Sequence, residues 1–329
     1  AMVGMGWWTT EKAIPAIEES DFCETTVTVS GSITDPTEVS GTDVERAIDY
    51  EAYAAGEASE AYDAVYVATP NALHLDHVRA AADLGKDVLC EKPMEVTEER
   101  ANELTAVCED VGVTLMIAYR VQTEPAARRA RDLLRAGVIG EPVSVHGAMS
   151  DDMLSFVDDP NHWRLDPDLS GGTTMNDIGI YPLNTARFVL DRDPVSAYGR
   201  ARTDKPEFEG TDEHVSFEFE FEDGIPLTGS ASHSAYEESH LRIVGTEGQL
   251  LLDRPFFPGR PRTLTVERAG TRSTVEFDQR NQMTEEFDYF AHCLLTDTPP
   301  APDGEHGALD VRAIEAVYES AETGKRVDL

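Results

Sequence analysis

The plainest pattern in the chain lies at 214–221, where Val215, Phe217, Phe219 and Phe221 alternate with Ser216, Glu218 and Glu220. Period two, with one apolar and one acidic face, predicts a strand of a half-exposed antiparallel sheet. The first third of the chain is different. Short, continuous apolar runs at 25–29, 63–67, 87–90 and 114–119 are separated by helical spacing at 75–84 and 97–111. Ala1-Met2-Val3 reads as the stub of one more strand, followed by a helix through Ile14-Pro15-Ala16-Ile17. Strands without a polar face, alternating with helices, predict a parallel sheet covered on both sides.

The pattern changes after about residue 121. A helix over 124–136 ends at Gly137, and from Glu141 onward strands dominate, with further ones expected at 227–235, 241–244, 248–252 and 264–267. Helices at 284–295 and 308–323 close the chain. The expected architecture is an α/β domain with a mostly parallel sheet over 1–121, then an α+β domain over 122–329 with an open, mainly antiparallel sheet. The alternation at 214–221 leaves open whether helices or another subunit cover its apolar face.

Composition narrows the partners. The 329 residues favour two domains, and no apolar run approaches the roughly 18 residues of a membrane span. With 63 acidic and 27 basic residues the formal charge is −36, which repels nucleic acid and anionic lipid. So large an acidic excess with so few lysines is similar to the surfaces of salt-adapted proteins, and the fold is expected to depend on salt. Cys23, Cys90, Cys108 and Cys293 form no Cys-x-x-Cys pair, so they are read as reduced thiols of a cytoplasmic protein rather than metal or redox ligands. No signal peptide opens the sequence. It starts inside a predicted strand, so further residues are expected upstream.

Candidate chemistry begins at Gly4-Met5-Gly6-Trp7, between a predicted strand and a predicted helix. Glycines there let backbone N–H groups approach a pyrophosphate at a helix N-terminus, although the third motif position is Thr9 rather than Gly or Ala. The second strand ends Val29-Ser30-Gly31-Ser32. It offers no carboxylate to repel a 2′-phosphate and two hydroxyls to bond one, which favours NADP; with no Arg or Lys beside the serines, NAD stays the weaker alternative.

Cys90-Glu91-Lys92-Pro93 follows another strand. Of the 27 basic residues only five are lysines, Lys12, Lys86, Lys92, Lys205 and Lys325, and one stands at a strand end, where α/β proteins keep their ligands. A lysine there is a compact charge whose pKa responds to burial. Asp177 and Tyr181, four apart, share one face of a predicted helix, which Pro182 should distort just after Tyr181. His74-x-x-His77 has metal-ligand spacing but reads as a solvated helix start. Asp151-Asp152 with Asp158-Asp159 reads as a charged, mobile loop, and the remaining histidines are scattered.

Together with Thr69-Pro70-Asn71 and His74, Ala118-Tyr119-Arg120, Trp163-Arg164-Leu165 and Asn281-Gln282, these motifs closely resemble the glucose–fructose oxidoreductase/inositol dehydrogenase (Gfo/Idh/MocA) family over nearly the whole chain. The resemblance implies a Rossmann domain followed by the open-sheet domain. Many members place a His at the position of Tyr181. The Tyr form resembles the glucose–fructose oxidoreductase and NADP-dependent aldose dehydrogenase branch, and the acidic composition is similar to its haloarchaeal xylose dehydrogenases. The expected activity is oxidation of D-xylose, or a related pentose or hexose, at C1.

The resemblance further implies Lys92 and Tyr181 as the catalytic pair, with Asp177 binding or orienting substrate and Tyr236 lining the sugar pocket. Cofactor contacts are implied at Gly4, Gly6, Trp7, Ser30, Gly31, Ser32, Thr69, Pro70, Asn71, His74, Glu91, Lys92, Arg120, Trp163 and Arg164. No metal is called for, and a homodimer or homotetramer through the C-terminal sheet is expected. A free tyrosine has a pKa of about 10, so a phenol base working near pH 7 needs about 4 kcal/mol of differential stabilisation, which a nearby ammonium supplies in part. Two alternatives stay open: an oxidoreductase that retains its NADP and alternates between two sugars, and a non-catalytic sugar or NADP sensor.

Overall fold

The structure is a computed structural model describing residues 1–33, 35–36, 44–278 and 280–329. The chain forms two compact units, Ala1–Arg120 with Asn281–Val311, and Val121–Arg280 with Arg312–Leu329. A single cut after 121 was expected; the structure returns 281–311 to the first unit. The reason is apolar burial. Met283, Phe287 and Phe290 of the helix Gln282–Thr296 are buried in one cluster with Met2, Met5, Ile14, Ile17 and Tyr66.

In the first unit the described strands are β1 (Met2–Val3), β2 (Val27–Val29), β3 (Arg46–Ile48), β4 (Ala64–Val67), β5 (Asp87–Glu91) and β6 (Leu115–Ala118). All pair in parallel, in the order β3-β2-β1-β4-β5-β6. This is the doubly wound order, with its reversal between β1 and β4, and ligands of such sheets bind outside the C-terminal strand ends. The loops that leave β1, β2, β4 and β5 carry Gly4, Ser30, Thr69 and Lys92. Strand β3 gave no signal in the sequence: it is a three-residue edge strand in which Ile48 alone is buried.

The second unit holds β7 (Pro142–Asp152), β8 (Pro194–Arg202), β9 (His214–Phe221), β10 (Pro226–Ser232), β11 (Ser234–Gly245), β12 (Gly248–Asp253), β13 (Arg262–Arg268), β14 (Thr271–Phe277) and β15 (Val327–Asp328). They form one sheet, β14-β13-β12-β11-β7-β10-β9-β8-β15, antiparallel except for the β7–β10 pair. The run expected as one strand over 227–235 breaks at His233, between β10 and β11.

The four apolar residues of β9 are buried, and helices of the same unit cover them. Phe217 pairs in register with Gly199 and Gly229, and Gly229 with Gly147. A Cβ on Gly147 would lie 2.7 Å from Pro182 in the helix Ile180–Leu190, and one on Gly199 would lie 2.5 Å from the carbonyl of Val317, in the 312–323 part of the helix Gly304–Thr323. Glycines thus let both helices approach the sheet backbone. No helix among the described residues is long and apolar enough to cross a membrane.

Candidate active site

The turn after β1 requires its first glycine twice over. Gly4 has φ +95°, and a Cβ there would sit 2.5 Å from the carbonyl oxygen of Ala68. At Gly6 a Cβ would meet nothing within 4 Å, so open space borders the backbone where the helical run 7–18 begins. That combination suits a pyrophosphate at a helix start. Thr9 is fully buried and donates its hydroxyl to Gly4 O at 2.5 Å. The turn Thr9–Ala13 is π-type, a widening frequent at functional sites. Trp7 is exposed, with the Lys12 ammonium 5.2 Å from its ring centroid.

After β2, the Ser30 hydroxyl oxygen accepts the N–H groups of Ser32 at 3.2 Å and Ile33 at 3.3 Å. Ser30 is buried and shapes the turn, while Gly31 and Ser32 are exposed. Thr69, Pro70 and Asn71 leave β4 and lead into the helix His74–Asp83. His74 is not a solvated residue. It is fully buried, with Nε2 2.9 Å from Thr69 O and Nδ1 3.3 Å from Met94 O. It therefore braces the loop after β4 against the loop after β5, and burial lowers its pKa. His77 instead stacks on Tyr50, with centroids 4.8 Å apart.

Glu91 ends β5, and the Lys92–Pro93 peptide is cis. One Glu91 oxygen accepts the Tyr66 hydroxyl at 2.6 Å and the Trp8 indole N–H at 3.0 Å; the other accepts the Lys92 backbone N–H at 3.1 Å. Three residues beyond Lys92, the fully buried Glu95 accepts both prongs of Arg100, at 2.7 and 3.0 Å, and the N–H groups of Leu75 and Val96. Carboxylates thus pin the segment carrying Lys92 on both sides. Arg120, buried, bonds the Gln282 side-chain oxygen and lies 5.6 Å from the Trp8 ring. Glu286 is fully buried, and neither of its oxygens has a hydrogen-bond partner among the described residues. Burial first, and then the charge of Glu91, push its pKa well up against the pull of Arg120.

In the second unit Asp177 and Tyr181 sit on one helical run whose start Asp212 fixes. Its carboxylate accepts the N–H groups of Thr173 at 2.7 Å and of Thr174 and Met175 at 3.0 Å, and the Tyr318 hydroxyl at 3.1 Å. The turn Met175–Gly179 is π-type and the α-helix Ile180–Leu190 follows. The distortion expected after Tyr181 thus falls before Pro182, because a proline's missing N–H and its ring both act on the preceding turn. The Tyr181 ring stacks on Phe256 with centroids 5.7 Å apart.

Asp177 and Arg164, expected to serve substrate and cofactor separately, form an ion pair: Asp177 Oδ2 accepts Arg164 Nε–H at 2.9 Å. The Arg164 guanidinium also lies 4.4 Å from the Trp163 ring centroid. Asp177 Oδ2 stands 3.5 Å from His233 Nε2, and His233 Nδ1 stands 2.6 Å from Asp151. Asp151 and Asp152, expected in a mobile loop, are the last residues of β7. Tyr236 lies on β11 with 87% of its surface exposed, outside this cluster. Asp212 and His233 carried no signal in the sequence, since each meets its partners from a distant part of the chain; Glu95 and Glu286 were not singled out either.

A doubly wound sheet with a glycine turn after β1 and a lysine after β5 has the layout of a dinucleotide-dependent oxidoreductase. Residues 1–119 match the family model described as oxidoreductase family, NAD-binding Rossmann fold, and residues 127–251 match the GFO/IDH/MocA C-terminal domain. The chain belongs to the Gfo/Idh/MocA oxidoreductase family, as its motifs implied. It is 51% identical to the D-xylose 1-dehydrogenase (NADP(+)) of Haloarcula marismortui, over 100% of this chain and 92% of that protein. It is 36% identical to D-xylose 1-dehydrogenase (NADP(+)) 2 of Haloferax volcanii, over 85% of this chain and 84% of that one. Among solved structures it is similar to the aldose–aldose oxidoreductase of Caulobacter crescentus complexed with glycerol. There the TM-score is 0.91, the identity 30%, and the coverage 100% of this chain and 98% of that one.

Proposed function

We propose that this chain is an NADP-dependent aldose 1-dehydrogenase that oxidises D-xylose, or a related pentose or hexose, at C1 to the aldonolactone. One observation carries the reading: 51% identity along the whole chain to the D-xylose 1-dehydrogenase (NADP(+)) of Haloarcula marismortui. Lys92, Asp177 and Tyr181 in this sequence agree with it.

Gly4 and Gly6 would hold the pyrophosphate and the Ser30–Ser32 turn the 2′-phosphate. Trp7, Thr69, Pro70, Asn71, Arg120, Trp163 and Arg164 would add further cofactor contacts, with His74 and Glu91 bracing the loops behind them. Bound there, NADP would supply the acceptor for the hydride from C1. Tyr181 removes the O1 proton as general base. Lys92 hydrogen-bonds the sugar hydroxyl, holds it in register and favours the phenolate. Asp177 accepts hydrogen bonds from sugar hydroxyls. The pairing of Lys92 with Tyr181 rests on the family's motif pattern, each residue standing in its own unit. The four free cysteines agree with a reducing, cytoplasmic setting. Assembly as a homodimer or homotetramer through the C-terminal sheet is in keeping with the family resemblance.

The likeness to an aldose–aldose oxidoreductase favours a second reading, in which NADP stays bound while two sugars alternate. NADP that survives desalting would select it. For either reading, Lys92→Ala and Tyr181→Phe each lower turnover at least about a hundredfold with the fold intact. Near-normal turnover in either variant defeats the catalytic assignment.

A further inference from the structure

His233 has no part in the mechanism above, yet its surroundings are built. It is fully buried at the break between β10 and β11. Its backbone N–H donates to Glu213 O at 3.1 Å, and its carbonyl accepts the Met153 N–H at 3.0 Å. Its two ring nitrogens face two carboxylates, Asp151 at 2.6 Å and Asp177 at 3.5 Å. A neutral imidazole has one N–H and serves one carboxylate; carboxylates at both nitrogens suit the imidazolium. On the far side of Asp177 the Arg164 Nε–H reaches the same Oδ2 at 2.9 Å. Anion and cation therefore alternate in the row Asp151, His233, Asp177, Arg164.

A buried histidine that merely fills space needs no second carboxylate, and a buried cation is tolerated only when paired. Burial by itself would lower the His233 pKa; the hydrogen bond it donates to Asp151 and the nearby charges of Asp151 and Asp177 outweigh it and raise the value to about 9. The charged groups facing His233 are Asp151 from β7 and Asp177 from the π turn. Arg164 and His162 face Asp177 in turn.

We propose that His233 is a positioning residue for the sugar site: protonated and anchored by Asp151, it acts with Arg164 to hold the Asp177 carboxylate ionised and in one orientation for the sugar hydroxyls. This inference rests on the reading of Asp177 as a substrate-binding residue. Asp151 becomes a specificity residue at one remove, acting through the histidine. An acceptor fixed from two sides favours sugars whose hydroxyls match its direction, and disorder in it weakens sugar binding without touching the cofactor.

The test uses His233→Gln, Asp151→Asn and Asp177→Asn in the full-length protein in molar KCl. Initial rates are measured against D-xylose and NADP from pH 6 to 10, with NADP binding titrated separately. In the wild type, KM for xylose rises as pH passes through about 9. In H233Q it is already about tenfold higher at pH 7, the scale of one lost charge-assisted hydrogen bond, and no longer rises over that range. NADP affinity stays within about twofold. D151N moves the pH at which KM rises downward. Should H233Q fail to fold, D151N decides, since it keeps the imidazole in place. Impaired D177N with wild-type KM and pH profile in both H233Q and D151N overturns the role of His233 while the reading of Asp177 stands. Wild-type kinetics in D177N overturns the reading of Asp177, and the inference with it.

Discussion

Tyr66 donates its hydroxyl to Glu91 at 2.6 Å, and the same carboxylate accepts the backbone N–H of Lys92 at 3.1 Å. A tyrosine on β4 thus sets the backbone of the residue proposed to hold the sugar hydroxyl. The link also explains why Glu91 stands before Lys92: it is the bracket between the lysine and the sheet. In Tyr66→Phe, Glu91 keeps Trp8 but loses its shortest donor. Stability should fall by about 1–3 kcal/mol, and kcat/KM for the sugar by roughly tenfold as Lys92 loosens. Denaturant unfolding and steady-state kinetics on the same preparation check both; an unchanged kcat/KM would mean that Glu91 holds Lys92 without Tyr66.

The two glycines of the first turn should fail differently. Gly4→Ala places a Cβ 2.5 Å from Ala68 O at φ +95°, so it should lower the melting temperature as well as cofactor affinity. Gly6→Ala meets no protein atom within 4 Å, so its melting temperature should match the wild type. Its NADP affinity should still drop, by roughly tenfold or more, if a phosphate needs that space. Thermal melts with NADP titrations separate the cases. Wild-type NADP affinity in Gly6→Ala would remove the pyrophosphate from this turn.

The charged row around His233 has a pH signature in stability as well as in kinetics. Unfolded, a histidine titrates near 6.5; folded, His233 is raised to about 9 by its carboxylates. Between those values the folded state holds more protons than the unfolded one. The contribution is therefore full below about 6.5 and is lost as pH rises through about 9. Urea unfolding at pH 6, 8 and 10 should show the wild type losing more stability over that range than His233→Gln. Parallel losses would mean that His233 carries no proton in the fold.

A chain with formal charge −36 repels itself, and salt screens that repulsion within about 10 Å at 0.1 M and less at higher salt. The melting temperature should climb by several degrees from dilute buffer to molar KCl, and activity should decay on dialysis against low salt. A melting temperature indifferent to salt contradicts the salt-adapted reading of the surface.

Much of the architecture was legible because its causes are local. The alternation of Val215 to Phe221 marked β9 to the residue, and apolar runs marked the parallel strands β4 to β6 within one or two positions. Short edge strands were not, since Arg46–Ile48 has no apolar run to show. The return of 281–311 to the first unit depends on Met283, Phe287 and Phe290 meeting residues near the start of the chain, a contact that no local pattern encodes. The same holds at the site. Glu91, Lys92, Asp177 and Tyr181 announced themselves by motif, but what holds them did not. Asp212 beneath the Asp177 helix and His233 beside Asp177 arrive from β-strand borders more than thirty residues away. The serine turn after β2 was readable as a hydroxyl-rich strand end, while the use of the Ser30 hydroxyl to bond its own turn needed coordinates.

Initial rates of cofactor reduction in molar KCl test the central claim most directly, crossing NADP and NAD with D-xylose, L-arabinose, D-ribose, D-glucose and myo-inositol. The account predicts fast, saturable reduction of NADP with a pentose, D-xylose foremost, and slower reduction of NAD. Failure to reduce either cofactor with any of these sugars, by protein that binds NADP and melts cooperatively, would contradict it.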